Sequence, residues 1–420
     1  MAKETKVLEF KAEISKSFLK TVSAFSNYNG GTILFGVNDS GEPIGIDDPT
    51  QGCLDIENRI NDSIRPQPDY SLSIIESGMV IALEVKPGNN PPYLYQGKAY
   101  KRNDTSTIET DNFEVRRLIL KGENKDYEEL PSADQNLKFE VLEKELKEKA
   151  KIQTFDSDVL KTLNLYSEKS GYNNAAAILS DNSRFPGIDV AKFGETINIF
   201  IKRKTFENQS IIKSYYDTLE LYRDFFQYEE VDGAIRKMVE TIPEEAFREA
   251  LANAILHRTW DVNAHIRVSM YDDRIDIVSA GGLPDGINEN EYLEGKFSVL
   301  RNPILANVFH RLELVEKFGT GIRRIFRAYE ESQSKPMFEF SDNHIQVTLP
   351  ILKKQLDLSK DEMKVYELLS KNTYKQMSEI LSSPSMEFSK SKVTELLKKL
   401  QDKGIVEIEG RGRGTKYKIR

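Results

Sequence analysis

The sequence predicts an α+β protein that is divided into several domains. Its 420 residues are enough for two or three separate hydrophobic cores. Strand-like apolar runs alternate with segments of helical apolar spacing through most of the chain. The C-terminal part differs, because three helical segments are followed there by two short strands around a glycine-rich loop.

The composition is that of an ordinary globular protein. Hydrophobic residues make up 39% and charged residues 30% of the chain, which is typical of a folded protein rather than a disordered one. No apolar stretch is long enough to cross a bilayer and no secretory signal follows Met1, so we expect a cytoplasmic protein without membrane contact. The single cysteine, Cys53, excludes an internal disulfide and a cysteine-based zinc site.

Charge is distributed unevenly along the chain. The net charge is −8, which argues against general binding to polyanions. From Ile351 to the end, however, sixteen Lys and Arg face ten Asp and Glu, a local balance of +6 that leaves −14 for the remainder. A small basic module on an acidic body predicts localised contact with phosphate.

The first domain is predicted to span residues 1–123. A helix is expected at 18–27, and strands are expected at 8–11, 32–37, 70–75, 80–86 and 99–102. The polar, acidic stretch that follows is interrupted by Pro131 and marks a domain boundary. Residues 124–240 are predicted to form a helical and mixed connector without a chemical motif.

A central domain is predicted at 241–352, and its first helix carries Glu249 and Asn253 on one face. A carboxylate can orient an attacking water, and an amide oxygen can ligate Mg²⁺. Glycine turns and helix N-termini supply donors for phosphates. Each of these features alone is more often ordinary surface structure.

Four motifs occur in register, and together they favour a nucleotide site over ordinary surface structure. They are Glu249-Ala-Leu-Ala-Asn253-Ala-Ile-Leu-His257-Arg258, Gly281-Gly282-Leu283-Pro284, Arg301-Asn302-Pro303 and Phe318-Gly319-Thr320-Gly321. Together they resemble the GHKL ATPases, and more closely the divergent GHKL-like branch found in predicted transcriptional regulators and RecG-related proteins. The resemblance covers roughly residues 172–350. It implies a GHKL-like α/β sandwich that binds ATP and Mg²⁺, with weak ATPase activity as one outcome.

The resemblance also implies roles for individual residues. Glu249 would activate the attacking water and Asn253 would hold Mg²⁺ through the nucleotide. The other nucleotide contacts would be His257, Arg258, Ser279, Gly281, Gly282, Arg301, Asn302, Gly319, Thr320 and Gly321. The sequence departs from most relatives at Ser279, where an Asp usually reads the adenine amino group, and a neutral hydroxyl is a weaker partner. For His257, a structural role is an equal alternative.

The N-terminal segment resembles the Schlafen AlbA-like family along nearly its whole length, through Leu8 to Lys11, Lys20 to Asn27, Gly30 to Asp39 and Tyr100 to Thr107. This implies a nucleic-acid-binding fold. In some animal members it also implies an RNA-cleaving site built from three carboxylates, which would fall here on Glu4, Glu9 and Asp39 with Lys11 beside them. Clustered carboxylates can hold divalent ions that cleave phosphodiesters.

A structural interpretation of the same residues stays open. Glu9 and Lys11 would then form an ion pair on one strand face, and Asp39 would serve a turn. Lys101 and Arg102 would contact phosphate, or would simply belong to a solvated edge strand.

The C-terminal residues 356–420 are predicted to form a winged helix-turn-helix. Ser359 to Glu362 is a capping box that starts the first helix, Thr373 caps the second, and residues 389–402 form the third. Candidate DNA contacts lie on the third helix and the wing, and they are Ser389, Lys390, Ser391, Lys392, Thr394, Arg411 and Arg413. The alternative is a winged helix that docks onto protein.

Three functional hypotheses follow. The first is a DNA-binding, ATP-binding regulator that contacts double-stranded DNA, with nucleotide controlling the assembly of a homo-oligomer. The second is a metal-dependent nuclease of Schlafen type that acts on RNA or single-stranded DNA in defence or stress response. The third is a scaffold whose nucleotide pocket is vestigial.

Overall fold

A computed structural model describes residues 3–75, 79–232, 235–284, 287–295, 299–315, 320–353, 358–370, 373–384, 386–410 and 412–419. The chain forms two compact units. The first comprises Met1–Ala328 and Pro336–Ile351, and the second comprises Tyr329–Lys335 and Leu352–Arg420. The N-terminal and central parts of the chain therefore share one unit.

The N-terminal part is an α+β structure. Its elements are β1 (Leu8–Lys11), α1 (Phe18–Asn27), β2 (Gly31–Phe35), α2 (Pro49–Ser63), β3 (Ile64–Arg65), β4 (Tyr70–Ile75), β5 (Val80–Val85), β6 (Leu94–Tyr95), β7 (Tyr100–Asn103), β8 (Ser106–Glu109) and α3 (Asn112–Gly122). A four-stranded sheet has the order β1-β2-β5-β4, in which β1 and β2 are parallel. Helix α1 begins and ends where its apolar spacing predicts.

The core of this part lies between the sheet and helices α1 and α2. Phe18, Val22 and Phe25 of α1 are fully buried. Helix α2 contributes only Gly52, Ile56 and Ile60 to the buried set. It begins with Asp48, whose side chain accepts a hydrogen bond from the backbone N–H of Gln51. Its sparse apolar pattern explains why the sequence did not predict it.

The middle of the chain begins with a 3-10 turn at Tyr127–Glu129. The elements that follow are α4 (Glu140–Lys149), α5 (Ser157–Thr162), β9 (Tyr166–Ser167), β10 (Gly171–Tyr172), α6 (Asn174–Leu179), β11 (Ile188–Phe193), β12 (Phe200–Phe206), α7 (Ile211–Phe226), β13 (Gln227–Asp232) and β14 (Ile235–Glu240). The chain leaves the helical conformation between α4 and α5, so the start of the predicted helical and mixed connector contains two separate helices.

The central part contains α8 (Glu244–Leu256), β15 (Ile266–Met270), β16 (Arg274–Ala280), α9 (Glu289–Glu294), α10 (Pro303–Arg311), α11 (Gly321–Ala328), β17 (Met337–Phe340) and β18 (His344–Pro350). Its sheet has six strands in the order β12-β11-β15-β16-β18-β17, with only β11 and β15 parallel. Two of these strands, β11 and β12, come from the predicted connector. The expected boundary at residue 240 therefore cuts across one sheet, because β11 hydrogen-bonds to β15.

The second unit has the predicted helix and wing order. Its elements are α12 (Lys360–Tyr366), β19 (Lys375–Gln376), α13 (Met377–Leu381), α14 (Lys390–Asp402), β20 (Val406–Glu409) and β21 (Lys416–Ile419). The capping box of Ser359 and Glu362 is present, and Ser389 caps α14. Helix α13 begins after Gln376 rather than Thr373. Val393, Leu396, Leu397 and Leu400 of α14 are buried, as their spacing predicts.

Candidate functional site

Helix α8 carries Glu249 and Asn253 one turn apart, as their spacing predicts. The helix packs against strands β16 and β18 and against helix α11. Glu249 is 8% exposed and Asn253 is half-buried. Both polar side chains are therefore held in the interior of the first unit rather than on a solvated face.

Gly321, the first residue of α11, lies directly against this pair. A Cβ added at position 321 would lie 2.7 Å from Cδ of Glu249, closer still to its Oε1, and 3.1 Å from Nδ2 of Asn253. A side chain at this position would overlap the carboxylate of Glu249 unless that carboxylate moved.

Glu249 and Asn253 face different cavities. Asn253 lines a slot of about 10 Å³ together with His257 and Ser279. Glu249 lines a separate cavity of about 550 Å³ whose other walls include Arg248, His310 and Arg324. The two cavities share no lining residue.

The slot of about 10 Å³ holds at most one water molecule. Small-molecule sites in proteins are commonly about 300–1,000 Å³. The slot beside Asn253 therefore has no room for a nucleobase in this conformation, whereas the cavity beside Glu249 falls within this range.

The glycine turn at Gly281 and Gly282 faces protein. The backbone N–H of Gly281 donates to the carbonyl of Asn343 at 2.8 Å, and the carbonyl of Gly282 accepts from Arg301 at 3.0 Å. A Cβ added to Gly282 would lie 2.5 Å from the carbonyl oxygen of Ser341. The turn thus packs on the β17–β18 connection, and the N–H of Gly281 already has a partner.

Arg301 and Asn302 satisfy the C-terminal end of α8. Arg301 donates to the carbonyl of His257 at 2.8 Å, and Asn302 donates to the carbonyls of Leu256 and Arg258, both at 2.8 Å. Helix C-termini leave carbonyls without partners in the helix, and side-chain donors of this kind stabilise them. The Arg301-Asn302-Pro303 motif thus has a structural role that requires no ligand.

His257 and Arg258 are also held by the fold. Burial, and secondarily the charge of Arg301, lowers the pKa of His257 to about 4, so its imidazole is neutral at physiological pH. Arg258 is fully buried, and burial lowers its pKa to about 10. Its guanidinium lies 4.4 Å from the Trp260 ring centroid and donates to the carbonyls of Pro186 and Val262 at 3.0 and 3.2 Å. These contacts place Arg258 in the core.

Of the remaining predicted nucleotide contacts, Ser279 lies on β16, is buried and lines the slot beside Asn253. Thr320 is half-buried immediately before α11. Gly319 lies outside the described residues.

Sequence reasoning missed Glu128, which is fully buried at the junction of the connector and the central part. Its carboxylate accepts hydrogen bonds from the backbone N–H groups of Ile304 and, at 3.0 Å, Leu305, at the start of α10. The carboxyl group thus supplies hydrogen-bond acceptors to a helix N-terminus. No local pattern identifies this residue, because the partners are 176 and 177 positions apart.

In the N-terminal part, Glu9 is the centre of an internal charge cluster. It is 5% exposed and pairs with Lys11 at 2.7 Å and with the buried guanidinium of Arg102. The hydroxyl of Thr21 donates to the same carboxylate at 2.8 Å. Two cations and a hydroxyl therefore satisfy Glu9 without a metal ion.

The other two predicted nuclease carboxylates have separate environments. Glu4 accepts a hydrogen bond from the backbone N–H of Phe10 at 2.8 Å, and Asp39 is exposed in the turn after β2. Within the described residues, no group of three or more His, Cys, Asp or Glu side chains is arranged to hold a metal ion. The structure therefore does not bring Glu4, Glu9 and Asp39 together.

The predicted phosphate contacts of this part are engaged as well. Lys101 pairs with Glu114 at 2.8 Å, and Arg102 is occupied by Glu9.

Helix α14 presents a different surface. Opposite its buried stripe, Ser389, Lys390, Ser391 and Thr394 are exposed, and Lys398 lies one turn further along. Lys390 and Lys398 form no ion pair with any residue that the structure describes, whereas Lys399 pairs with Glu395 at 2.8 Å.

Lys392 is only loosely paired, at 3.9 Å from both Asp361 and Glu395. Arg411 and the side chain of Arg413 lie outside the described residues, so their predicted wing contacts stay predictions.

Three family models match successive segments of the chain. The model described as "Schlafen, AlbA_2" matches residues 4–111. The model described as "Putative ATP-dependent DNA helicase recG C-terminal" matches residues 263–349. The model described as "Sugar-specific transcriptional regulator TrmB" matches residues 352–419. The second match begins after α8, so Glu249 and Asn253 lie outside it.

No curated protein matches the chain significantly. Among solved structures, the DIP2311 protein from Corynebacterium diphtheriae is 18% identical, with a TM-score of 0.50 over 99% of this chain and 92% of that chain. This likeness shows a shared fold. The N-terminal domain of a RecG-related protein from Nitrosomonas europaea is 20% identical, with a TM-score of 0.19 over 25% of this chain and 79% of that domain.

None of the described helices combines the length and the apolar character needed to span a bilayer. The predicted α+β multidomain architecture is confirmed by the three matches in their order along the chain. Successive segments of the chain are thus similar to a Schlafen AlbA_2 domain, to the C-terminal domain of RecG-type helicases and to the TrmB family of transcriptional regulators.

Proposed function

We propose that the protein is a DNA-binding regulator that contacts double-stranded DNA through helix α14 of its winged helix. The observation that carries this proposal is the exposed surface of α14, on which Lys390 and Lys398 have no ion-pair partner among the described residues. Unpaired lysines on a helix surface are available for phosphate, whereas paired lysines must first give up a partner.

The position of these side chains on the helix supports the proposal. In helix-turn-helix proteins the N-terminal part of the recognition helix contacts base edges, and flanking cations contact the backbone. Ser391 and Thr394 are short hydroxyl side chains in the N-terminal half of α14, and Lys390 is its first residue. Val393 and Leu397 hold the opposite side of the helix in the core, which keeps the polar side exposed.

ATP and Mg²⁺ have no step in the proposed function. The slot beside Asn253 is too small for a nucleobase, and Gly321 packs against the carboxylate of Glu249. Nucleotide control of assembly therefore stays a prediction from the family resemblance. Nuclease activity also stays a prediction. The carboxylate of Glu9, which the resemblance assigns to that activity, is paired with Lys11 and Arg102.

We also propose that the protein acts as a homo-oligomer on DNA. One winged helix recognises only a short half-site, and paired copies bind two half-sites spaced by about one helical turn. Size-exclusion chromatography with light scattering, on the protein alone and with a long duplex, tests this part. A monomer that binds one copy per duplex at every protein concentration would contradict it.

The DNA contact is tested by fluorescence anisotropy with labelled duplex, single-stranded DNA and RNA of one sequence. We expect the duplex to bind most tightly, and the double variant Lys390→Ala/Lys398→Ala to weaken duplex binding at least about tenfold. Lys399→Ala is the matched control, because Lys399 is already paired with Glu395. If the double variant binds duplex as tightly as the wild type, α14 is not the DNA contact.

A further inference from the structure

The slot beside Asn253 is lined by Ser279, which the family resemblance places where an Asp usually reads the adenine amino group. Asn253 and His257 come from α8, Ser279 comes from the end of β16, and the aliphatic side chains of Ile277 and Val347 form the floor on β16 and β18. A flat apolar floor with a few polar groups at its edge is the usual form of a site for a heteroaromatic ring.

Three further side chains line this slot and narrow it. They are Tyr292 of α9, Ile325 of α11 and Phe338 of β17, and the space they leave is about 10 Å³. The ring of Tyr292 meets the imidazole of His257 edge-on, with centroids 6.2 Å apart, and meets the ring of Phe340 edge-on at 5.4 Å. Edge-to-face contacts in this distance range are favourable for aromatic rings.

We infer that Tyr292 is an internal ligand, whose phenol ring takes the place of a nucleobase in this slot and excludes ATP and adenosine from it. This concerns the central domain alone and is independent of DNA binding by α14.

Helix α9 holds Tyr292 in this position. The helix has its own capping box, in which Asn288 accepts from the N–H of Glu291 at 3.0 Å and Glu291 accepts from the N–H of Asn288 at 3.1 Å. Arg323 of α11 donates to the carbonyl of Glu294 at 3.0 Å. Tyr292 is thus carried on a short, fully capped helix that is tied to α11.

One buried polar atom remains without a partner in the slot. The Nδ1 atom of His257 is shut off from solvent and has no hydrogen-bond partner among the described residues. Burial raises the pKa of Tyr292 to about 12, so the phenol beside this nitrogen is neutral. Removal of the ring would leave a cavity with an apolar floor and, at its edge, Asn253, Ser279 and the unpaired Nδ1 of His257, which suits a neutral nitrogen heterocycle such as adenine.

The phosphate side of the site would remain closed after this change. Glu249 and Gly321 do not line the slot, so removal of the Tyr292 ring leaves their contact unchanged. Adenine and ATP therefore distinguish an emptied base slot from a complete nucleotide site.

The test measures binding of p-cresol, adenine and ATP with Mg²⁺ by calorimetry and thermal shift. p-Cresol reproduces the side chain of Tyr292. We expect wild type and Tyr292→Phe to bind none of the three. We expect Tyr292→Ala to bind p-cresol and adenine at least about tenfold more tightly than the wild type, and ATP no more tightly than adenine. Tyr228→Ala, which removes a tyrosine that is 52% exposed, is the control.

Two results overturn the inference. One is saturable binding of ATP or adenosine to the wild-type protein, which needs no variant and is informative even if Tyr292→Ala fails to fold. The other is a folded Tyr292→Ala variant that binds neither p-cresol nor adenine.

Discussion

Gly321 packs against the carboxylate of Glu249, so that a Cβ at position 321 would lie 2.7 Å from Cδ of Glu249. The same glycine lies against Asn253, whose Nδ2 would lie 3.1 Å from the added Cβ. The four-residue spacing of Glu249 and Asn253 matches that of an ATPase motif. In the structure, Gly321 of α11 packs against both residues, so the motif lies in the contact between helices α8 and α11.

Gly321→Ala is therefore expected to destabilise the first unit. The added methyl group overlaps a buried carboxylate, and overpacking of this kind typically costs about 1–3 kcal/mol. In a Glu249→Ala background the overlap is gone, so the same substitution should be close to neutral. Chemical denaturation of the four proteins of this double-mutant cycle measures the coupling.

Gly414→Ala is the control for this cycle, because an added Cβ there meets no atom within 4 Å. Additive effects of Gly321→Ala and Glu249→Ala would show that the two residues do not press on each other.

Glu128 predicts a pH dependence of stability. Burial raises its pKa from 4.5 to about 8, although the N–H groups of Ile304 and Leu305 oppose this shift. Between these values the folded protein binds more protons than the unfolded chain, so the free energy of unfolding falls as pH rises from about 4.5 to about 8. The amide side chain of the Glu128→Gln variant does not titrate in this range. The variant should therefore lack the part of the decrease in unfolding free energy that Glu128 causes.

Urea denaturation at pH 5, 6.5 and 8 measures the effect, which we expect to be on the order of 3 kcal/mol. Glu129→Gln is the matched control, because its carboxylate accepts only from the N–H of Asp126 near the surface. If the Glu128→Gln variant has the same pH profile of stability as the wild type, Glu128 does not cause the pH dependence.

Glu9→Gln is expected to destabilise the Schlafen-type part strongly. Arg102 is 5% exposed at its side chain, and loss of its carboxylate partner leaves a buried charge uncompensated. Breaking a buried pair in this way typically costs about 3–5 kcal/mol. Asp39→Asn, at an exposed turn, should leave stability unchanged within about 0.5 kcal/mol.

Thermal unfolding of both variants measures this difference. It also bears on any nuclease assay, because loss of activity in Glu9→Gln would reflect unfolding as readily as chemistry. Equal thermal stability of the two variants would show that the Glu9–Arg102 pair does not stabilise the fold.

Local patterns predicted many of the elements. Helix α1 at Phe18–Asn27 follows its apolar spacing, and α14 follows its cap at Ser389 and its buried leucines. Helix α2 was missed because only Gly52, Ile56 and Ile60 of its residues are buried. Strands β11 and β12 were expected only as a mixed region, since pairing with β15 depends on partners far away in sequence.

The sequence predicts individual residues of the candidate site but not how these residues pack together. Spacing placed Glu249 and Asn253 on one helix, and it identified the glycine turns. What lies against those residues is decided by tertiary packing, as with Gly321 on Glu249 and Tyr292 beside His257. The capping of α10 by Glu128 is likewise a long-range contact that no sequence window contains.

DNA contact by α14 is tested most directly by the salt dependence of duplex affinity. Each lysine that neutralises a phosphate contributes about 0.9 to the slope of log K against log salt concentration. We predict that Lys390→Ala/Lys398→Ala lowers this slope by about 2 relative to the wild type, while Lys399→Ala lowers it by clearly less. A slope unchanged in the double variant would contradict the account.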